Sequence, residues 1–159
     1  MIDKNEALKR LASLENETKE LEKIINKCDE PKNIMERVKS FKDACEILGL
    51  CEEKLPDVSM LPQEHQKSII ANYKLIIIIS ALNEGWKPNW ANTDQKKWYS
   101  WFEYNRGGCA SGFGFSYTAC DDWSTSATVG SRLCFKTEEL AKYVGKQFLD
   151  IYNDYIILK

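Results

Sequence analysis

The sequence predicts an α+β fold, and three observations lead to that prediction. The first 30 residues contain no aromatic residue, Gly or Pro and repeat apolar residues at heptad spacing. The stretch 63–84 is apolar around most of a helical circumference, and the region after Gly85 is rich in Trp and Tyr and alternates like β-strands. A chain of 159 residues that is 43% hydrophobic can bury one ordinary core. We therefore expect an amphipathic or coiled-coil helix at 1–30 and an α+β domain at 31–159.

The N-terminal segment carries an apolar stripe that we name the heptad seam. Its residues follow alternating steps of four and three around Thr18, and they are Ala7, Leu11, Leu14, Leu21, Ile25 and Cys28. This spacing predicts a homo-oligomer held together through Leu11, Leu14, Leu21 and Ile25. The alternative is an amphipathic helix that packs on the following domain of its own chain. Pro31 ends the helix in either case.

Capping residues delimit two helices in the first half of the domain. Ser40 is a favourable N-cap with Asp43 at the N3 position, and Gly49 ends this short helix. Pro62 suits the first turn of a second helix, which we expect from about residue 63 to Glu84, ending at Gly85. Because its apolar residues surround the axis, this helix is predicted to be central; a strand over LIIIIS is the alternative.

The second half of the domain predicts an antiparallel three-stranded meander followed by a helix. The strand candidates are KKWYSWFEY, FGFSYTAC and VGSRLCF at 96–104, 113–120 and 129–135. The intervening DDWSTSAT is predicted as a turn, which would include Asp121 and Asp122. Thr137 can cap a final helix that packs on the sheet, and its apolar stripe is Leu140, Val144, Phe148, Ile151 and Tyr155.

Composition excludes several classes of protein. A net charge of -2 argues against duplex nucleic acid as the partner, because phosphate binding needs a basic excess. One histidine, His65, removes mechanisms that need two imidazoles, and no two of the six cysteines have zinc-finger spacing. The run 68–82 is interrupted by Asn72 and Lys74, so it is too polar for a membrane span. The N-terminus carries no apolar leader, so we expect a cytoplasmic protein with reduced thiols, without metal or cofactor.

Aromatic residues near two arginines are the remaining unusual feature. Aromatic faces and guanidinium groups together can stack a base and hold a phosphate. The candidate ligand- or partner-binding residues are Trp86, Trp90, Trp98, Tyr99, Trp101, Arg106 and Arg132. The alternative is that these aromatic residues fill the core of a small sheet. The glycine-rich RGGCASGFGF at 106–115 lacks the Lys-Ser or Lys-Thr of a phosphate loop, and a strand follows it. No catalytic residues are predicted.

Six segments from about Met35 onward carry a resemblance to known proteins, and they are FKDACEILGL, LPDVSMLP, YKLIIIISALNEGWKPNW, WYSWFEY, SGFGFSY and VGSRLCFKTEELAKYVGKQFLDIY. Through these segments the chain resembles a family of small proteins encoded in bacteriophages and prophages of Bacteroides and relatives. The resemblance implies a phage or mobile-element origin and brings no assigned activity, cofactor or catalytic residue. The N-terminal helix lies outside it.

These observations lead to one preferred function and two alternatives. We expect a phage-encoded, non-enzymatic binding protein that acts on a host or phage protein inside an infected or lysogenic bacterial cell. The first alternative is an anti-defence protein that sequesters a nucleotide signalling molecule, with the aromatic residues stacking on the base. The second is a structural component of the virion, which the predicted coiled coil would permit.

Overall fold

A computed structural model describes residues 10–11, 13–21, 33–105, 114–124 and 129–158, with backbone alone at 104–105, 114–119 and 123. The chain divides into two compact units, Met1–Asn33 and Ile34–Lys159. In the first unit, the described residues between 10 and 21 are helical and form α1. The second unit mixes helices with an antiparallel sheet, so the α+β prediction is confirmed. Its elements are α2 (Ile34–Arg37), α3 (Phe41–Leu48), α4 (Gln63–Leu82), β1 (Lys97–Asn105), β2 (Gly114–Trp123), a 3₁₀ turn (Ser131–Leu133), α5 (Glu138–Gln147) and α6 (Leu149–Ile156).

Helix α3 has the predicted ends. The Ser40 side chain accepts a hydrogen bond from the Asp43 amide at 3.2 Å, and the Asp43 carboxylate accepts from the Ser40 amide at 2.9 Å. This reciprocal arrangement satisfies two amide groups that a helix start leaves without partners. Gly49 adopts a left-handed φ of 67°, which favours glycine, and ends the helix.

Helix α4 forms the centre of the core, as its all-round apolar sequence predicts. Leu75, Ile78 and Leu82 are fully buried. The helix contacts α3, α6 and the 3₁₀ turn. It ends at Leu82 and not at Glu84, because Glu84 takes a left-handed φ of 48°. Within the described ranges, no helix is both long enough and apolar enough to cross a membrane.

The described part of the chain forms a two-stranded sheet, so the predicted third strand is wrong. The stretch 129–135 makes a single bridge to β1 between Phe135 and Trp98 and otherwise contains the 3₁₀ turn. Gly130, at φ 70°, precedes that turn, and the Asn83 amide group donates to the Cys134 carbonyl at 2.8 Å. The Cys134 carbonyl, which accepts from the C-cap residue of α4, is not free to continue a β-ladder.

Strand β2 extends further than predicted. Asp121 pairs with Tyr99 and Asp122 with Trp98, so both aspartates lie within the strand and the turn predicted for them is wrong. The register shifts between Trp101 and Phe102, which is a β-bulge that interrupts the predicted strict alternation.

The C-terminal helix is divided into α5 and α6, which corrects the prediction of one helix. Phe148 separates them with φ -114° and ψ 32° and is buried. Helix α5 begins at the predicted cap, Thr137. It packs mainly on the sheet, whereas α6 packs mainly on α4. A bend at Phe148 lets one apolar stripe serve two different surfaces.

Candidate functional site

The aromatic residues of β1 lie on two faces of the sheet. Trp98 and Phe102 pack against the core, and the Phe102 ring lies 4.4 Å from the Tyr152 ring. Tyr99 and Trp101 lie on the opposite face, with ring centroids 6.3 Å apart. Tyr99 is 3% exposed, whereas Trp101 is 48% exposed. Among the aromatic side chains of β1 that the structure describes, Trp101 is therefore the most accessible.

Two carboxyl groups, those of Asp121 and Glu103, lie at positions next to Tyr99 and Trp101 in the sheet. The Tyr99 hydroxyl donates to the Asp121 carboxylate at 3.3 Å. Burial, together with the negative charge of Asp121, raises the pKa of the Tyr99 hydroxyl. Asp121 and Glu103 are exposed. This face can therefore offer an aromatic surface and negative charge to a partner.

Trp90 precedes β1 in the chain and contacts the buried side chain of Lys97. Its indole donates to the Ser131 hydroxyl at 2.7 Å, and its ring faces the Lys97 ammonium at 5.5 Å from the centroid. Lys97 is fully buried and donates to the carbonyls of Asn92 and Ser124, both at 2.8 Å. The Lys97 ammonium group thus contacts two carbonyl oxygens and one aromatic ring, and none of these three contacts is with a carboxylate. The contacts tie the 90–95 loop to the end of β2, which is a structural role.

The described residues include one of the two predicted arginines. Arg132 is exposed in the 3₁₀ turn, and Arg106 lies outside the described residues. Trp86 is half-buried. Cavities lined by described residues lie along α4 and α6, on α5 and on α1. One of about 720 Å³ is bordered by Gln63, Lys67, Ser68, Asp154 and Ile157 among others and by none of the predicted binding residues.

Two of the described thiols, Cys45 and Cys134, are buried. Burial raises the pKa of Cys45 and raises that of Cys134 to about 11, so both stay protonated near neutral pH. His65 is exposed at the start of α4, where its neighbour is Glu64 at 3.4 Å. The described residues include no group of three or more His, Cys, Asp or Glu side chains able to hold a metal ion.

The described leucines of the heptad seam are exposed on α1. Leu11, Leu14 and Leu21 are 57%, 58% and 59% exposed. Every described residue of α1 whose side-chain environment is known is exposed, including the polar ones. Ile25, the fourth predicted oligomerisation residue, lies outside the described residues. Three uncovered leucines on one stripe form an apolar surface of the kind that mediates association.

Sequence reasoning missed the buried polar residues Asn83, Lys97 and Ser100. Ser100 donates to the Ala141 carbonyl at 2.7 Å, and Asn83 binds backbone groups of Cys134 and Lys136. No sequence signal separates Lys97 from its neighbour Lys96, which is exposed.

No protein-family model, curated protein or solved structure matches this chain.

Proposed function

We propose that this protein is a non-enzymatic binding protein that assembles through α1 and engages a protein partner with its α+β domain. The observation that carries the proposal is the exposure of Leu11, Leu14 and Leu21 on a single helical stripe. A solvent-exposed helix gains little stability from propensity alone, because most helical stability in proteins comes from packing an apolar face. Association would cover that face.

Trp101 is the proposed partner contact of the α+β domain. It is about half exposed, and the exposed carboxylates of Glu103 and Asp121 lie on neighbouring positions of the sheet. Tryptophan at the centre of an interface contributes more than most residues, and its indole face also attracts cations. A partner with a basic residue beside an apolar one fits this surface.

The resemblance to phage-encoded proteins adds a partner and a cellular location to the proposal. On that basis the partner is a host or phage protein, and the site of action is the cytoplasm of an infected or lysogenic bacterium. The proposal omits catalysis because two of the described thiols, Cys45 and Cys134, are buried, and because the Asp43 carboxylate caps α3 while Asp122 pairs with Lys96.

Light scattering on the full chain tests the assembly. We expect a mass of at least twice 18.4 kDa at micromolar concentration. Leu14→Glu should give a monomer, because it places a charge in the heptad seam at no cost in helix propensity. Asn16→Glu adds the same charge to an exposed α1 position off the seam and should leave the mass unchanged. A monomeric unmodified chain would remove the proposal.

A thermal-shift panel separates this proposal from nucleotide sequestration. A nucleotide at 100 times its Kd should stabilise the protein by about 2.7 kcal/mol. We expect no shift with cyclic or linear nucleotides. A shift that Arg132→Ala abolishes would instead favour the nucleotide hypothesis. The virion hypothesis remains a prediction, testable by looking for the chain in purified particles.

A further inference from the structure

The described heptad seam is compatible with burial along its whole length. Leu11, Leu14, Thr18 and Leu21 are separated by three, four and three residues, which places them on one stripe of α1. Thr18 is the polar residue on this stripe, and its hydroxyl donates to the Leu14 carbonyl at 2.7 Å. The hydroxyl therefore has a partner within its own helix and needs none across an interface. Covering this stripe leaves the Thr18 donor satisfied.

A second copy of the chain is the occupant that this stripe fits best. The seam repeats with a heptad period, and two identical helices with that period can pack knobs into holes along their whole contact. A two-fold pair uses the same surface on both copies, so no second complementary surface is required. The charges beside the seam then decide how the two helices are oriented.

The heptad places Leu11 and Thr18 at a positions and Leu14 and Leu21 at d positions. Arg10 and Glu17 then occupy g positions, and Glu15 occupies an e position.

A parallel pair in register brings Arg10 of each copy to Glu15 of the other, since g positions face the e positions of the next heptad. These are opposite charges, and two-fold symmetry makes the pair twice. An antiparallel pair that overlays the same four seam residues behaves differently. It brings g to g and e to e, so Glu17 faces Glu17 and Glu15 faces Glu15. Both contacts join like charges.

We propose that two copies of this chain associate through α1 as a parallel, in-register pair, and that Arg10 and Glu15 select this orientation. The inference rests on the proposed self-assembly and specifies its partner, direction and register. In the sequence, the e position that follows g position Glu17 in the heptad pattern is Glu22, which lies outside the described residues. That like-charge pair weakens the parallel dimer, and it offers a way to recognise the orientation experimentally.

Charge reversal at Glu15 and Arg10 is the first test, with dimer dissociation followed by analytical ultracentrifugation of the full chain at low salt. Glu15→Arg and Arg10→Glu should each raise the dimer Kd by about three- to tenfold, because two attractive pairs become repulsive. The double variant Arg10→Glu/Glu15→Arg restores opposite charges and should return the Kd to within about twofold of the original. In an antiparallel pair, Glu15→Arg exchanges one like-charge contact for another and should leave the Kd unchanged.

Glu17→Lys is the second test, and it predicts a gain of affinity. In the parallel pair the substitution replaces a like-charge contact with an attractive one, so the Kd should fall by about three- to tenfold. In the antiparallel pair Glu17 faces its own copy, so the substitution keeps like charges together and gives no gain. Glu20→Lys is the matched control, since it makes the same charge change on the helix side away from the seam.

The outcomes separate the two proposals. A monomeric unmodified chain overturns both the self-assembly and its orientation. A stable oligomer that neither weakens with Glu15→Arg nor tightens with Glu17→Lys overturns the parallel arrangement alone. A mass other than that of a dimer also overturns this inference while leaving self-assembly intact. Tryptophan fluorescence checks that each variant keeps its folded domain, because all five tryptophans lie between Trp86 and Trp123.

Discussion

Helices α1 and α4 both carry apolar residues along their length, but they use them in opposite ways. In α4, Leu75 and Leu82 are fully buried among α3, α6 and the 3₁₀ turn. In α1, Leu14 and Leu21 remain more than half exposed. An apolar pattern along a helix therefore does not by itself show whether its residues form a core or an interface. That distinction depends on what the rest of the chain can place against it.

The largest expected effect contrasts a leucine from each helix. Leu75→Ala should lower the free energy of unfolding of the α+β domain by about 3 kcal/mol, since it deletes fully buried atoms and leaves a cavity. Leu14→Ala should change the same quantity by less than about 0.5 kcal/mol. Urea unfolding followed by tryptophan fluorescence measures both. A comparable loss at Leu14 would mean that α1 stabilises the domain directly, contrary to the comparison.

A smaller effect tests whether the domain satisfies its polar groups internally. Lys97→Met should cost about 2 kcal/mol, because the carbonyls of Asn92 and Ser124 lose the hydrogen bonds that the buried Lys97 side chain donates to them. Methionine is the replacement because it fills a similar space with an adaptable chain. The control is Lys96→Met, which removes an exposed ammonium and should change stability by less than about 0.5 kcal/mol. Equal effects at the two lysines would show that burial of Lys97 does not matter to stability.

The cap of α3 supplies the next prediction. Ser40→Ala should destabilise the domain by about 1 kcal/mol, because the Asp43 amide loses its acceptor. Ser80→Ala, at an exposed position inside α4, should be neutral or stabilising by a few tenths of a kcal/mol. Urea midpoints for the two variants measure the contrast. An equal loss at both positions would show that the capping contact contributes nothing specific.

The smallest predicted effect is a dependence of stability on acid. Hydrogen bonds from the amides of Lys39 and Ser40 and from the Ser40 side chain lower the pKa of Asp43 in the folded protein. The unfolded chain therefore binds the proton more readily, and this stabilisation is present above the unfolded pKa and is lost as pH falls through the folded pKa. Asp43→Asn should reduce the loss of stability between about pH 6 and about pH 3. An unchanged difference between urea midpoints at those two pH values would contradict this assignment.

The features that sequence predicted correctly depend on near neighbours. The Ser40–Asp43 cap and the Gly49 stop span ten residues, and β1 was expected at 96–104 and is found at Lys97–Asn105. The features that were wrong depend on distant partners. The third strand fails because Asn83 holds the backbone of Cys134 from 51 residues away, and the final helix bends at Phe148 between two different packing surfaces.

For the candidate site too, some features were predictable from sequence and others were not. Sequence identified the heptad seam and the dense group of tryptophans, but the structure sorted those tryptophans by environment. Trp98 packs on the core, Trp90 contacts buried Lys97, and Trp101 is accessible. Alternation along a strand assigns residues to faces, yet it does not state which face the helices cover.

The sequence by itself determined the α+β class, the capped helix α3, the apolar character of α4 and the heptad seam of α1, because local propensity and periodicity encode these features. Tertiary structure alone decided that Lys97 is buried while Lys96 is exposed, that β2 continues through Asp121 and Asp122, and that Trp101 faces solvent. These outcomes follow from contacts between residues far apart in the chain, whose energies no local pattern contains.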